Sequence, residues 1–149
     1  MGIQKLKNYI QNTNLISSII VSLLIVVFEV IYGTDTFREI AGNYRSFFGI
    51  IGLVLMPVSP IIYGLITKDK VGAIVVGIVP ISCMLFKFIS ESSPHFLWNN
   101  ILGVTAYVVV YAILGGTAGY LASKRKAVHL LVAICLSIAW ILVYLSDLD

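Results

Sequence analysis

Glu29 is an acidic residue inside an otherwise uncharged apolar run that extends from Leu15 to Gly33. An ionisable group is costly to place in lipid, so such a residue marks a candidate functional site. A residue of opposite charge at a similar depth is then expected as its partner. At 1.5 Å per residue, Glu29 lies about 21 Å from Leu15, in the outer third of a bilayer. Lys87 lies at a similar depth in another apolar run. The two predict an ion pair or a water-filled vestibule; the alternative is that each reaches the outer headgroups separately.

Three prolines fall near the middle of two further apolar runs, Pro57 and Pro60 in one and Pro80 in the next. A proline inside a helix leaves the carbonyl four residues earlier without its N–H donor, and lipid offers no replacement. The nearby hydroxyls of Ser59 and Ser82 could donate to these carbonyls. Broken helices that meet at mid-depth can form a transport site. The alternative is a static kink that improves helix packing.

Small residues are concentrated in the fourth apolar run, at spacings that let helix backbones approach closely. The residues are Ala112, Gly115, Gly116 and Gly119. The pattern predicts tight packing of this helix, either against other helices of the same chain or against a second copy.

The composition indicates that these residues lie in membrane-spanning segments. The chain has 149 residues, of which 59% are hydrophobic and 11% charged, and its mean hydropathy is +1.00. A soluble domain carries about 25% charged residues. These values exclude a soluble enzyme, a disordered chain and a nucleic-acid-binding domain. They indicate an integral membrane protein.

Five runs approach the length of about 20 apolar residues that a membrane-spanning helix needs. They are residues 15–33, 47–67, 71–90, 98–123 and 127–146. Little chain remains for a soluble domain, so residues 1–149 are predicted to form one integral membrane domain. The predicted fold class is all-α, a polytopic bundle of five transmembrane helices. Residues 1–14 fit either a short interfacial helix or an early start of the first span.

Basic residues predict the orientation. If the spans alternate, seven of the ten lysines and arginines fall on one side: Lys5, Lys7, Lys68, Lys70, Lys124, Arg125 and Lys126. The positive-inside rule then places the N-terminus in the cytoplasm and the C-terminus outside. We expect the protein to lie in the plasma membrane. Residues 124–126 also form a small patch that could contact anionic lipid.

Residue patterns for catalysis or metal binding are not found in the sequence. Cys83 and Cys135 lie inside apolar runs without CxxC spacing and fit small packing residues. Acidic residues and His95 on the outer side fall on two separate loops, which favours a hydrated surface over a metal site. No span carries a motif of intramembrane catalysis. We therefore expect no enzymatic activity, no metal and no cofactor.

Two functions from different classes fit this architecture. The leading hypothesis is a transporter or channel-like permease for a small solute or ion, with its site between the second and third spans. Its residues would be Pro57, Ser59, Pro60, Pro80 and Ser82, with Glu29 and Lys87 at the outer mouth. The other is a non-catalytic structural or assembly subunit of a larger membrane complex.

The partners expected are the lipid bilayer and either a second copy or another membrane subunit; no nucleic acid is expected. A polar cavity beside the prolines would favour transport, and a dry, close-packed interior would favour the subunit.

Overall fold

The computed structural model describes residues 3–91 and 94–146. Side chains are described at 14–84, apart from positions 38 and 45, and at 101–145. Of the described residues, 94% are helical and none lies in a strand. The all-α prediction is therefore confirmed.

Six α-helices follow one another in the described residues. They are α1 (Ile3–Tyr32), α2 (Asp35–Ala41), α3 (Arg45–Thr67), α4 (Lys70–Glu91), α5 (Pro94–Ser123) and α6 (Ala127–Ser146), with a 3-10 turn at Gly42–Tyr44. Within the described residues, four stretches are long and apolar enough to cross a bilayer: Asn14–Tyr32, Ser46–Thr67, Ile101–Ser123 and Ala127–Leu145. The apolar stretch described in α4, Lys70–Met84, is shorter. Four of the five predicted spans thus have a candidate helix of sufficient length.

Helix α2 lies in a segment for which the sequence predicts an outer loop. The Thr34 hydroxyl accepts a hydrogen bond from the backbone N–H of Phe37 at 3.2 Å, which is a typical helix N-cap. The Phe37 ring makes edge-to-face contacts with Tyr32 and Phe48, at centroid distances of 5.9 and 5.2 Å. These aromatic contacts attach α2 to the end of α1 and the start of α3.

Helices α3 and α4 form a hairpin at the centre of the bundle. Lys68 adopts the left-handed conformation at the end of α3 (φ 58°), and its N–H donates to the Gly64 carbonyl at 3.0 Å. This closes α3 with a tight turn. On one side of the hairpin lies α1, on the other lies α5, and α6 packs against α5 and α3.

A tyrosine of α3 attaches α1 to the hairpin. The Tyr63 hydroxyl donates to the Asn14 carbonyl at 2.7 Å and lies 2.7 Å from Oγ of Ser17. Further along α1, Ser18 and Ser22 are fully buried and donate to carbonyls of their own helix. Small, internally satisfied hydroxyls therefore allow α1 to lie close to its neighbours.

Large apolar side chains cover the outside of the bundle. Leu24 of α1 is 64% exposed, Leu102 of α5 is 85% exposed and Leu142 of α6 is 60% exposed. An apolar surface that extends over several helices is unusual on a soluble monomer and typical of a surface that faces lipid. The structure therefore fits an integral membrane protein.

Candidate functional site

The three prolines of the predicted site are packed in the protein interior. The side chains of Pro57, Pro60 and Pro80 are each less than 2% exposed. A Cβ atom placed on Gly119 of α5 would lie only 2.9 Å from Cβ of Pro60. The backbone of α5 therefore occupies the space next to Pro60.

The two predicted serines differ in position. Oγ of Ser59 donates to the Met56 carbonyl at 3.3 Å, and this is the carbonyl that Pro60 deprives of its N–H donor. Ser82 is exposed, and its Oγ donates to the Ile78 carbonyl at 3.0 Å. Ser59 thus lies beside the prolines, whereas Ser82 faces the outside of the bundle and bonds a carbonyl that the proline of α4 does not affect.

A serine of α6 that the sequence analysis did not single out contacts the proline region. Ser137 is 5% exposed, and its Oγ donates to the Pro57 carbonyl at 2.9 Å. Its signal in the sequence is a serine near the middle of an apolar helix of twenty residues. The bond links α6 to α3 where a proline disturbs the backbone.

Replacing Ser137 with alanine is expected to lower the free energy of unfolding by about 1 kcal/mol, since hydrogen bonds between membrane helices are worth about that much. The measurement is SDS-induced unfolding of the detergent-solubilised protein, followed by circular dichroism. Ser82→Ala is the matched control, because it removes an exposed hydroxyl bonded within its own helix. Equal losses in the two variants would contradict this role for Ser137.

Four glycines bring α3, α4 and α5 into backbone contact, and we call Gly64, Gly77, Gly115 and Gly119 the glycine seam. A Cβ atom on Gly77 would lie 2.5 Å from the carbonyl carbon of Gly115. One on Gly64 would lie 2.6 Å from the carbonyl oxygen of Gly119. Separations below 3.0 Å require the backbone to move. Two of the small residues predicted for packing, Gly115 and Gly119, therefore make contacts that tolerate no side chain.

The other two predicted packing residues lie at the edge of this interface. Ala112 and Gly116 line an open groove of about 420 Å³ between α4 and α5. The groove is otherwise lined by Ile74, Ile78, Ile113, Thr117 and Tyr120. It is almost entirely apolar.

Glu29 lies between α1 and α3 at the end of the bundle opposite the two basic turns. Its carboxylate rests on Gly52, where an added Cβ would lie 2.7 Å from Oε1. Oε1 is buried and has no hydrogen-bond partner among the described residues. One turn further along α1, the Tyr32 hydroxyl would lie 2.6 Å from a Cβ on Gly49. Gly49 and Gly52 thus form a notch in α3 that holds two side chains of α1.

Among the predicted site residues whose side chains the structure describes, Glu29 does not share a cavity with the prolines. Gly52 precedes Pro57 by five residues, or about 7.5 Å along the helix axis, so the carboxylate of Glu29 is separated from the prolines. The side chain of Lys87 lies outside the described residues, and the predicted pair with Glu29 stays a prediction.

The two basic turns lie at the same end of the bundle. The guanidinium of Arg125 donates from Nε to the Leu65 carbonyl at 2.7 Å and from Nη2 to the Ile66 carbonyl at 3.0 Å, with a further bond from Nη2 to the Leu65 oxygen. A cation at the C-terminal carbonyls of a helix is favourable. Beside it, Nζ of Lys124 lies 4.5 Å from the centre of the Tyr120 ring, a cation–π contact.

Within the part of the chain that the structure describes, no group of three or more histidine, cysteine, aspartate or glutamate side chains is arranged to hold a metal ion. The distinctive features are therefore the buried prolines, the glycine seam, the carboxylate of Glu29 and the basic end. Comparisons of the chain with models of protein families, with curated proteins and with solved structures give no match.

Proposed function

We propose that this protein is a non-catalytic structural or assembly subunit of a larger membrane complex. The observation that carries the proposal is the burial of Pro57, Pro60 and Pro80, each less than 2% exposed. A permease site built on prolines needs freed carbonyls that face a cavity. Here the carbonyl that Pro60 frees, that of Met56, accepts a hydrogen bond from Ser59, and the Pro57 carbonyl accepts one from Ser137. Helix α5 packs on Pro60 through a glycine. Close packing of this kind suits a rigid scaffold.

The proposal includes five spans, with the N-terminus in the cytoplasm and the C-terminus outside. The 22 residues of α4 extend about 33 Å as a helix, which is enough to cross a hydrocarbon core of about 30 Å. The bonds from Arg125 to the end of α3 support the placement of both basic turns on one side. The positive-inside rule makes that side cytoplasmic, and in this proposal the membrane is the plasma membrane.

The partner would bind a surface other than the glycine seam, because these glycines are used inside the chain. Large apolar side chains of α1, such as Ile16, Ile20 and Leu24, are between 52% and 64% exposed. They supply a continuous face for van der Waals contact with another membrane helix. In this proposal the partner is a different membrane subunit.

A second candidate function, a permease for a small solute or ion, is favoured by one observation. Oε1 of Glu29 is buried within a candidate span without a hydrogen-bond partner among the described residues. A carboxylate in that position is expensive and typical of proton and cation pathways. The site would then lie at the notch of Gly49 and Gly52, next to α1, and not at the prolines.

The two functions are separated by purifying the tagged protein from its native membrane in mild detergent and by reconstituting it into liposomes. We expect a different membrane protein to co-purify in fixed proportion, and we expect proton and cation flux to equal that of protein-free liposomes. Glu29→Gln is expected to leave the co-purification intact. A homogeneous preparation whose ion flux is abolished by Glu29→Gln would overturn the structural role and support the permease.

A further inference from the structure

We propose that the groove between α4 and α5 binds an acyl chain of a phospholipid whose anionic headgroup lies at the basic end of the bundle. The inference is independent of the proposed function. The groove is open, has a volume of about 420 Å³ and is lined mainly by aliphatic side chains of both helices. Such a lining offers an alkyl chain dispersion contacts and offers a polar solute almost no hydrogen bonds.

The dimensions of the groove suit one alkyl chain. Along α5 its lining runs from Ala112 to Tyr120, a rise of about 12 Å. Its floor depends on Gly116, because a Cβ there would already lie 3.3 Å from Cγ1 of Ile78 and 3.6 Å from Cγ2 of Ile74. A larger residue at this position would narrow the groove. The glycine therefore keeps open a channel along the surface of the bundle.

Basic residues lie next to Tyr120, the lining residue of the groove nearest the end of α5. Lys124 is held there, with Nζ 4.5 Å from the centre of the Tyr120 ring, and Lys126 is exposed in the same turn. Arg125 attaches this turn to the end of α3, which brings the exposed Lys68 to the same side. An anionic headgroup at this position would be attracted by several positive charges.

The acidic residue of this region does not cancel that attraction. Asp69 lies in the turn before α4, where its Oδ1 accepts a hydrogen bond from the backbone N–H of Val71 at 3.1 Å. The carboxylate is thus engaged at the N-terminus of α4, where a negative charge is favourable. The lysines remain as the groups that face a headgroup.

The same charges disfavour a second copy of the chain as the occupant. Two copies that pair through this groove about an axis normal to the membrane would place their basic turns side by side. Like charges in contact oppose association, and residues 124–126 of each copy are all basic. An acidic lipid is complementary to the same surface, so the observations favour the lipid.

Native mass spectrometry of the detergent-solubilised protein with added phosphatidylglycerol or phosphatidylcholine tests the proposal. We expect one phosphatidylglycerol molecule to be retained and phosphatidylcholine to bind more weakly. Lys124→Gln should weaken phosphatidylglycerol binding about fivefold, and Lys124→Arg should preserve it. Thr117→Phe should block binding by filling the groove from an exposed position.

Val109→Phe is the matched control, because Val109 is an exposed residue of α5 that does not line the groove. This variant should retain the lipid. If Thr117→Phe does not fold, Ala112→Leu fills the same groove and serves instead. Equal retention of the two lipids, or retention unchanged by filling the groove, would overturn the proposal. Disulfide cross-linking of Thr117→Cys between two chains would do the same and would identify a second copy as the occupant.

Discussion

Replacing Gly77 with leucine is expected to destabilise the bundle by about 3 kcal/mol, the upper range for overpacking of a close-packed interior. A Cβ on Gly77 would lie 2.5 Å from the carbonyl carbon of Gly115 and 2.6 Å from its oxygen. These atoms are backbone, so no side-chain rotation can relieve the overlap. Helices α4 and α5 must therefore move apart, and the contacts of the whole glycine seam loosen with them.

The measurement is the free energy of unfolding in mixed micelles of mild detergent and SDS. Gly103→Leu is the matched control: it lies in the same type of helix, and nothing lies within 4 Å of the position where its Cβ would be. Both variants gain helix propensity by losing a glycine, so their difference reports the overlap alone. If Gly77→Leu is as stable as Gly103→Leu, α4 and α5 do not have the backbone contact described here.

The helical class could be predicted from the sequence because uninterrupted apolar runs of about 20 residues have the length of a spanning helix, in which every backbone polar group is bonded within the segment. The apolar part of α1, Asn14–Tyr32, agrees within one residue with the predicted run of 15–33. Helix α2 could not be predicted in this way. It is short and contains charged residues, and it depends on the capping hydroxyl of Thr34 and on ring contacts with two other helices.

The sequence predicts only one side of each close contact within the bundle. The small residues of the fourth apolar run indicated a helix face that can approach a neighbour, but they did not identify the neighbour. The partners are Gly77 of α4 and Gly64 of α3, and their pairing depends on how the helices cross. That geometry is a property of the whole bundle and not of any one run.

The transport site predicted at the prolines shows why position along the chain is not enough to identify which side chains share a cavity. Ser82 follows Pro80 by two residues, which corresponds to about 200° around a helix. The two side chains therefore lie on nearly opposite faces: Pro80 is buried and Ser82 is exposed. A site between α3 and α4 would require both to point inward. Mid-helix prolines have the same sequence pattern in a kink and in a binding site, and only the packing around them distinguishes the two.

Replacing Trp140 with alanine is expected to have the other large effect, a loss of about 3 kcal/mol in the free energy of unfolding. Trp140 of α6 is 3% exposed, its ring lies 4.7 Å from that of Tyr111 and it stacks on Tyr144 at 5.9 Å. Truncation leaves a cavity between α5 and α6. In lipid the transfer of apolar surface contributes little to helix association, so the loss comes from the cavity and the missing ring contacts.

A series of substitutions at this position separates packing from a general effect of changing α6. Trp140→Phe should lose less than Trp140→Ala, because it keeps an aromatic ring against Tyr111. Leu142→Ala is the control, since Leu142 lies on the same helix and is 60% exposed; it should unfold within about 0.5 kcal/mol of the wild type. SDS-induced unfolding gives the free energy of unfolding of all three variants. It is followed by far-ultraviolet circular dichroism, which reports helix content and does not depend on the tryptophan that is replaced. Equal losses for Trp140→Ala and Leu142→Ala would mean that the ring contacts of Trp140 with Tyr111 and Tyr144 contribute nothing to the attachment of α6. A graded loss from phenylalanine to alanine would instead show that the volume and the ring contacts of Trp140 contribute to the attachment of α6 to α5, as close packing in the absence of a hydrophobic driving force requires.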